Sequence, residues 1–341
     1  MKVHSSVTPQ RTTVLSRHVP SGRGSSGQGP SRRPGRSGDR GLLRHPGLWW
    51  GLLGVTAFSF TLPFTRIAAA GLPALFIGSA RAVVAAVLAA CALALTRQRL
   101  PRGAQWLRLA VVAAGVVVGF PVLTSYALTT VPASHAAVVI GLLPAATAVL
   151  AVFRGKERPA RSFWVFSALG AVCAVAFASV QGDGIATLHW ADALLFAAVL
   201  AAAAGYAEGG LLARELGSWQ TVSWALVLAA PLMTVLTIVS LDGRVLQAGP
   251  EQWWAFAYLA VVSMFLGFFA WYRGLAIGPM AQVSQIQLTQ PVMSILWAAL
   301  LLGEQPGIPT LLGGVAVILC AALAVRTRLT PATPVAPAKG H

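Results

Sequence analysis

The sequence predicts an all-α membrane protein of ten transmembrane helices, built as two inverted repeats of five helices. Three observations lead there. Of 341 residues, 56% are hydrophobic and only 10% are charged, against about 25% charged in an ordinary soluble domain. The apolar residues fall in long runs separated by short basic clusters, the pattern of repeated membrane crossing. Two segments also match each other in ungapped register at an offset of 147 residues.

A helix crosses about 30 Å of hydrocarbon with roughly 20 apolar residues. On that measure spans are expected at 47–66, 73–95, 106–128, 134–153, 162–180, 191–213, 220–240, 252–272, 281–302 and 308–326. The loops are short, so chain neighbours should be antiparallel. Ahead of the spans, residues 1–45 are rich in Ser, Gly, Pro and Arg, with Asp39 as the one acidic residue. Such a composition cannot bury a core and predicts a disordered basic tail. No apolar h-region precedes Leu42, so the tail does not read as a secretory signal. A transit peptide and an over-extended start both stay open. Residues 46–182 are expected to form the first repeat, 183–328 the second, and the Pro/Ala-rich 329–341 a loose tail.

The charges test the count. Nine of the 25 Lys and Arg precede residue 46. Arg97, Arg99, Arg102 and Arg108 follow span 2, and Arg154, Lys156, Arg158 and Arg161 follow span 4. Arg214 and Arg273 follow spans 6 and 8, and Arg326, Arg328 and Lys339 end the chain. With both termini on one side, 22 basic residues share that side and only Arg66 and Arg244 lie opposite. The positive-inside rule then places both termini in the cytoplasm of a cell membrane and requires an even number of spans. The net charge of +16 therefore reads as orientation charge, and nucleic acid is not an expected partner. Cys91, Cys173 and Cys320 lie far apart inside apolar runs, as small core residues rather than disulfide or metal ligands.

In the repeat, Pro132 matches Pro279, Pro144 matches Pro291, Glu157 matches Glu304 and Pro159 matches Pro306. His135 corresponds to Gln282 and Thr147 to Ser294. The match lays span 4 on span 9. Five spans separate them, an odd number, so the second copy is upside down, and inverted repeats imply alternating access.

The paired blocks "LLPAATAVLAVFRGKERP" and "LTQPVMSILWAALLLGEQP", with "GEQPGIPTLLGGVAVIL" in the last hairpin, resemble the EamA type of the ten-helix drug/metabolite transporter superfamily. The resemblance covers about residues 47–326. The first copy departs from the usual Gly-Glu, reading Gly155-Lys156-Glu157. The resemblance implies a transporter, often an exporter of amino acids or related metabolites, and leaves the cargo open.

Ionisable and amide groups inside spans are costly and read first as functional. Arg81 lies well inside span 2, where it could attract an anionic group of a substrate or instead snorkel outward. Glu208, in "GYAEGG" with Tyr206, could bind an amine or a proton, or pair with Arg214 at the inner mouth. Pro63, Gly209 and Gly210 read as helix breaks, with Gly210 falling on Pro63 at the 147-residue offset; close helix approach through Gly205 and Gly209 is the alternative. Gln282, Gln285 and Gln287 are expected to line the pathway or to bond neighbouring helices. Pro144 and Pro291 break spans 4 and 9 and free the carbonyls of Ile140 and Gln287. His135 could titrate. Tyr126, Trp271 and Tyr272 could stack on a substrate or anchor at the interface. Glu157 and Glu304 lie at helix ends and read as turn residues.

No P-loop, HExxH, CxxC or GxSxG occurs, and scattered acidic residues do not form a catalytic cluster. The expectation is a secondary transporter, not an enzyme, without cofactor or metal, working in the lipid bilayer on a small molecule. Efflux of lipophilic or cationic drugs is the alternative cargo. An integral-membrane enzyme or a scaffold is the alternative class. A coupling proton and a homodimer stay open.

Overall fold

The computed structural model describes residues 46–155, 161–181, 190–277 and 286–329, and among these no strand occurs. The order is α1 (Pro46–Ser59), α2 (Thr61–Ala69), α3 (Ala74–Leu95), α4 (Gln105–Val112), a π-helical segment (Ala113–Gly119), α5 (Phe120–Ala127), α6 (Ala133–Ile140), α7 (Leu143–Gly155) and α8 (Arg161–Gln181). There follow α9 (Trp190–Leu216), α10 (Ser218–Val239), the short α11 (Gly243–Gln247), α12 (Pro250–Ala257), a second π-helical segment (Tyr258–Leu266), α13 (Gly267–Ile277), a 3-10 turn (Gln287–Thr289), α14 (Gln290–Leu302) and α15 (Ile308–Leu329).

Among the described residues seven stretches have the length and hydropathy to cross a membrane: Pro46–Ala69, Ala74–Leu95, Gln105–Ala127, Ala133–Leu150, Trp190–Leu216, Ser218–Val239 and Pro250–Gly274. Three shorter apolar helices, Arg161–Phe177, Gln287–Leu302 and Ile308–Ala324, fall where spans five, nine and ten are expected. Apolar side chains turned outward mark the lipid-facing surface, among them Leu95 at 85% exposure and Val239 at 72%. In water such a surface would be a liability; in a bilayer it is the required one.

The breaks within helices follow from residue chemistry. Pro63 has no N–H to donate to the carbonyl of Ser59, and α1 gives way to α2 at Phe60. A turn at Gly141 and Leu142 separates α6 from α7, just ahead of Pro144. The 3-10 turn at Gln287–Thr289 stands just ahead of Pro291. The two prolines are 147 residues apart, and so the same defect recurs in both halves. The π segments recur similarly, beginning at Ala113 and Tyr258 and ending at Gly119 and Leu266. Gly209 and Gly210, expected as breaks, do not interrupt the chain: α9 runs unbroken from Trp190 to Leu216. Glycine permits a break but removes no hydrogen bond, whereas proline does.

The helices pack in pairs that mix early and late parts of the chain: α3 with α10, α8 with α15, α1 with α13, and α5 and the first π segment with α9. Small residues set the spacing. A Cβ on Gly274 would stand 2.6 Å from the backbone nitrogen of Gly51, so α1 and α13 meet backbone to backbone.

Candidate functional site

Near the middle of the bundle α2, α3, the first π segment, α9 and the second π segment enclose a cavity lined by Thr61, Arg81, Val116, Tyr206, Ser263 and Gln290 among others. It offers ≈ 30 Å³ to water-sized groups, room for a water or two and not for a metabolite. Leu62, Leu143 and Gln290 are shared with a second cavity of ≈ 10 Å³ at the crossing of the two broken spans. That second cavity is lined by Ile140, Pro144, Gln287 and Pro291. The carbonyls of Ile140 and Gln287 are the ones the two prolines leave without a helical donor.

Arg81 dominates the site. It is 1% exposed, seven residues or about 10 Å into α3. Its Nε finds no hydrogen-bond partner among the described residues, and no carboxylate lines either cavity. An ionised group in such a place ordinarily has a counter-charge. Around it Phe268 packs on Phe58 with ring centroids 4.8 Å apart, and Tyr206 meets Phe268 edge-on at 6.1 Å. Thr61 and Ser263 join α2 to the second π segment through their hydroxyls at 2.7 Å. Ser294 Oγ donates to the carbonyl of Ser59 at 2.8 Å, and Trp297 Nε1 to Ser59 Oγ at 2.9 Å. The acceptor freed by Pro63 is thus taken up by the opposite half of the chain.

Polar contacts bracket the cavity on both sides. Toward the expected cytoplasmic end, Arg108 of α4 donates to Glu208 and Glu215 of α9. Arg108 lies eight residues before the cavity residue Val116, about 12 Å along the helix. Toward the opposite end, Arg66 Nη1 donates to the carbonyl of Leu128 at 2.6 Å, and His135 pairs with Asp192 at 2.6 Å, both buried. Glu304 accepts from the backbone N–H groups of Ala133 and Ser134 at 2.9 Å each. These are orphan donors of the first turn of α6. Gly303, at φ 64°, ends α14 in a left-handed turn that aims Glu304 at them. The Gly-Glu of the sequence motif thus ties the end of α14 to the start of α6.

Of the residues singled out in the sequence, Arg81, Tyr206, Gln287, Pro144 and Pro291 line the two cavities. Glu208 and His135 lie away from them in the bracketing pairs, and Tyr126 is 39% exposed. Gln282 and Gln285 lie outside the described residues. Trp271 and Tyr272 are buried at 3% and 1% exposure rather than held at an interface. Thr61, Ser263 and Gln290 reach the cavity without having been picked out. Hydroxyls and single amides are common in membrane helices, and only the fold shows which ones converge.

Among the described residues the chain is a bundle of apolar helices around a cavity holding a buried arginine, an architecture that suits a membrane transporter. The chain belongs to the EamA-like transporter family, whose sequence model matches twice, over residues 45–180 and 189–326. It is 45% identical over 276 residues to a protein of Bacillus subtilis (strain 168) named "Uncharacterized transporter YdeK", across 81% of this chain and 96% of that protein. A solved crystal structure shares the fold at a TM-score of 0.58 and 17% identity, covering 83% of this chain and 99% of its own.

Proposed function

We propose that this protein is a secondary transporter that exports, by alternating access, a small metabolite bearing an anionic group, such as an amino acid or related compound. The observation that carries the reading is Arg81, buried in the central cavity without a counter-charge among the described residues. A substrate carboxylate or phosphate would supply that charge. Cationic drugs are the weaker cargo, because no Asp or Glu lines either cavity and Glu208 is engaged by Arg108.

Ten spans in inverted halves provide the device. The recurrence of helix breaks and π segments supports this, as does the double match to one family model. Glu304 adds to it by joining the end of one copy's motif helix to the start of the other's. We infer that the three shorter apolar helices also cross the membrane and that both termini face the cytoplasm. The cavity is an occluded form, and admission of cargo requires one bracketing set of contacts to part.

The test is counterflow in proteoliposomes against a panel of anionic, zwitterionic and cationic metabolites. Wild-type protein should move at least one anion-bearing compound. Arg81→Gln should lose roughly 100-fold or more of that activity, the scale of about 3 kcal/mol for a buried charge partner. Full activity of Arg81→Gln on every transported compound would discard the reading.

A further inference from the structure

A much larger hollow lies elsewhere, and its chemistry differs from that of the cavity. It is a groove of ≈ 990 Å³ between α1, the end of α9, the start of α10 and the span formed by the second π segment and α13. On α1 it is lined by Trp50, Leu53 and Ala57. These recur every three to four residues and form one helix face, while the next residue, Phe58, lines the central cavity. Farther along the chain, Leu266, Phe269 and Arg273 line the groove, whereas Met264 and Phe268 line the cavity. The groove therefore occupies the backs of helices whose fronts form the substrate site. Its walls are apolar and open outward, with Leu53 56% and Leu266 48% exposed.

The mouth is the opposite in character. Arg214 and Arg273 stand there, at the expected cytoplasmic ends of their helices, beside Ser218 at the first turn of α10. A helix N-terminus presents unbonded N–H groups and the positive end of its dipole. Two guanidinium groups and those N–H groups recognise an anion with several acceptor oxygens, and Arg binds phosphate in bidentate fashion. From Arg273 back to Val262 the apolar trough runs eleven residues, about 16 Å, from the headgroup level toward mid-membrane. An anionic head joined to a long apolar tail satisfies both parts.

We propose that this groove is a binding site for an anionic glycerophospholipid of the cytoplasmic leaflet. The phosphate is held by Arg214 and Arg273, and one acyl chain lies along Leu53, Leu266 and Phe269. The site is separate from the cargo cavity and does not depend on what the cargo is.

Native mass spectrometry of the full chain, released from detergent with either phosphatidylglycerol or phosphatidylcholine of identical acyl chains, reads this directly. Phosphatidylglycerol should be retained about ten-fold or more over phosphatidylcholine, given two arginines at the headgroup level. The double variant Arg214→Gln/Arg273→Gln should fall to the phosphatidylcholine level, while Arg244→Gln, at the far end of the bundle, should behave as wild type. Both arginines are exposed, so the substitutions open no core. Leu53→Trp fills the trough and should lower retention of both lipids. Equal retention of the two lipids overturns the proposal, and so does a preference that survives the double substitution. Unchanged retention in Leu53→Trp overturns it too, leaving surface attraction alone. If the variants lose transport while lipid retention stays the same, the groove serves the cargo and the proposal fails.

Discussion

A guanidinium as deeply enclosed as that of Arg81 is expensive in hydrocarbon, by about 2.5–3.5 kcal/mol on insertion scales. It persists where something recovers the cost. Arg81→Lys keeps a point charge and gives up the planar fork, so it should retain part of the transport that Arg81→Gln loses. The split between the two variants, measured as initial rates of counterflow, separates charge from geometry. Glu304 makes a second residue-scale prediction. Its two backbone bonds at 2.9 Å are charge-assisted, and Glu304→Gln should destabilise the protein by about 1.5–3 kcal/mol, read as a lower unfolding midpoint in mild detergent. An unchanged midpoint would mean the contact is decorative. Arg81 was legible in the sequence because a lone charge inside an apolar run is conspicuous. The partners of Glu304 were not, because Ala133 and Ser134 offer only backbone, which no sequence motif marks.

At the scale of the elements, proline and glycine do different work. Pro63 deprives Ser59 of its helical donor, and Ser294 Oγ fills the vacancy at 2.8 Å. Ser294→Ala should therefore cost about 1 kcal/mol in the native background and less when Pro63→Ala restores a competing N–H. A double-mutant cycle on unfolding free energy gives this coupling, and strict additivity would refute it. Gly274 acts by absence. A Cβ there would meet the backbone of Gly51 and Gly47 at 2.6 and 2.9 Å, atoms that cannot swing aside. Gly274→Leu should cost about 1–3 kcal/mol or more. Gly210→Ala, where nothing lies within 4 Å, should be neutral or mildly stabilising. Helix breaks stand next to Pro63, Pro144 and Pro291, yet Pro231 lies inside the unbroken α10, so a missing N–H favours a break without dictating one. Of the two readings open for Gly209, a break and close packing, the structure shows the second: α9 is unbroken and Gly209 makes room for the ring of Tyr272.

For the molecule as a whole, apolar run length and basic clusters conveyed the helical membrane class, and the 147-residue offset pointed to a doubled unit, which the family model matches twice. Which helices touch was not legible, because every lipid-soluble face resembles every other until the fold chooses among them. The partners of the groups that bracket the cavity were likewise hidden: Arg108 read as a loop charge, yet it reaches 100 residues along the chain to Glu208. Arg108→Ala should loosen the expected cytoplasmic end and raise the labelling rate of a cysteine placed at Tyr206 by a water-soluble thiol reagent. A rate equal to that of the native background would show that this end is closed by packing alone.

The Arg108 contacts also have unequal exposure to the surrounding solution. The side chain of Glu208 is 6% exposed and that of Glu215 is 47% exposed, while Arg108 itself is 20% exposed. Mobile ions reach the second carboxylate and hardly reach the first. At physiological ionic strength the screening length is about 8 Å, and at 1 M it shrinks to about 3 Å. Raising salt should weaken the Glu215 arm and spare the Glu208 arm. Labelling of a cysteine placed at Tyr206, from the expected cytoplasmic end, should then rise with salt to a plateau, and adding Glu215→Gln should start at that plateau and show no further response. The same cation thus holds one arm that follows the composition of the medium and one that does not.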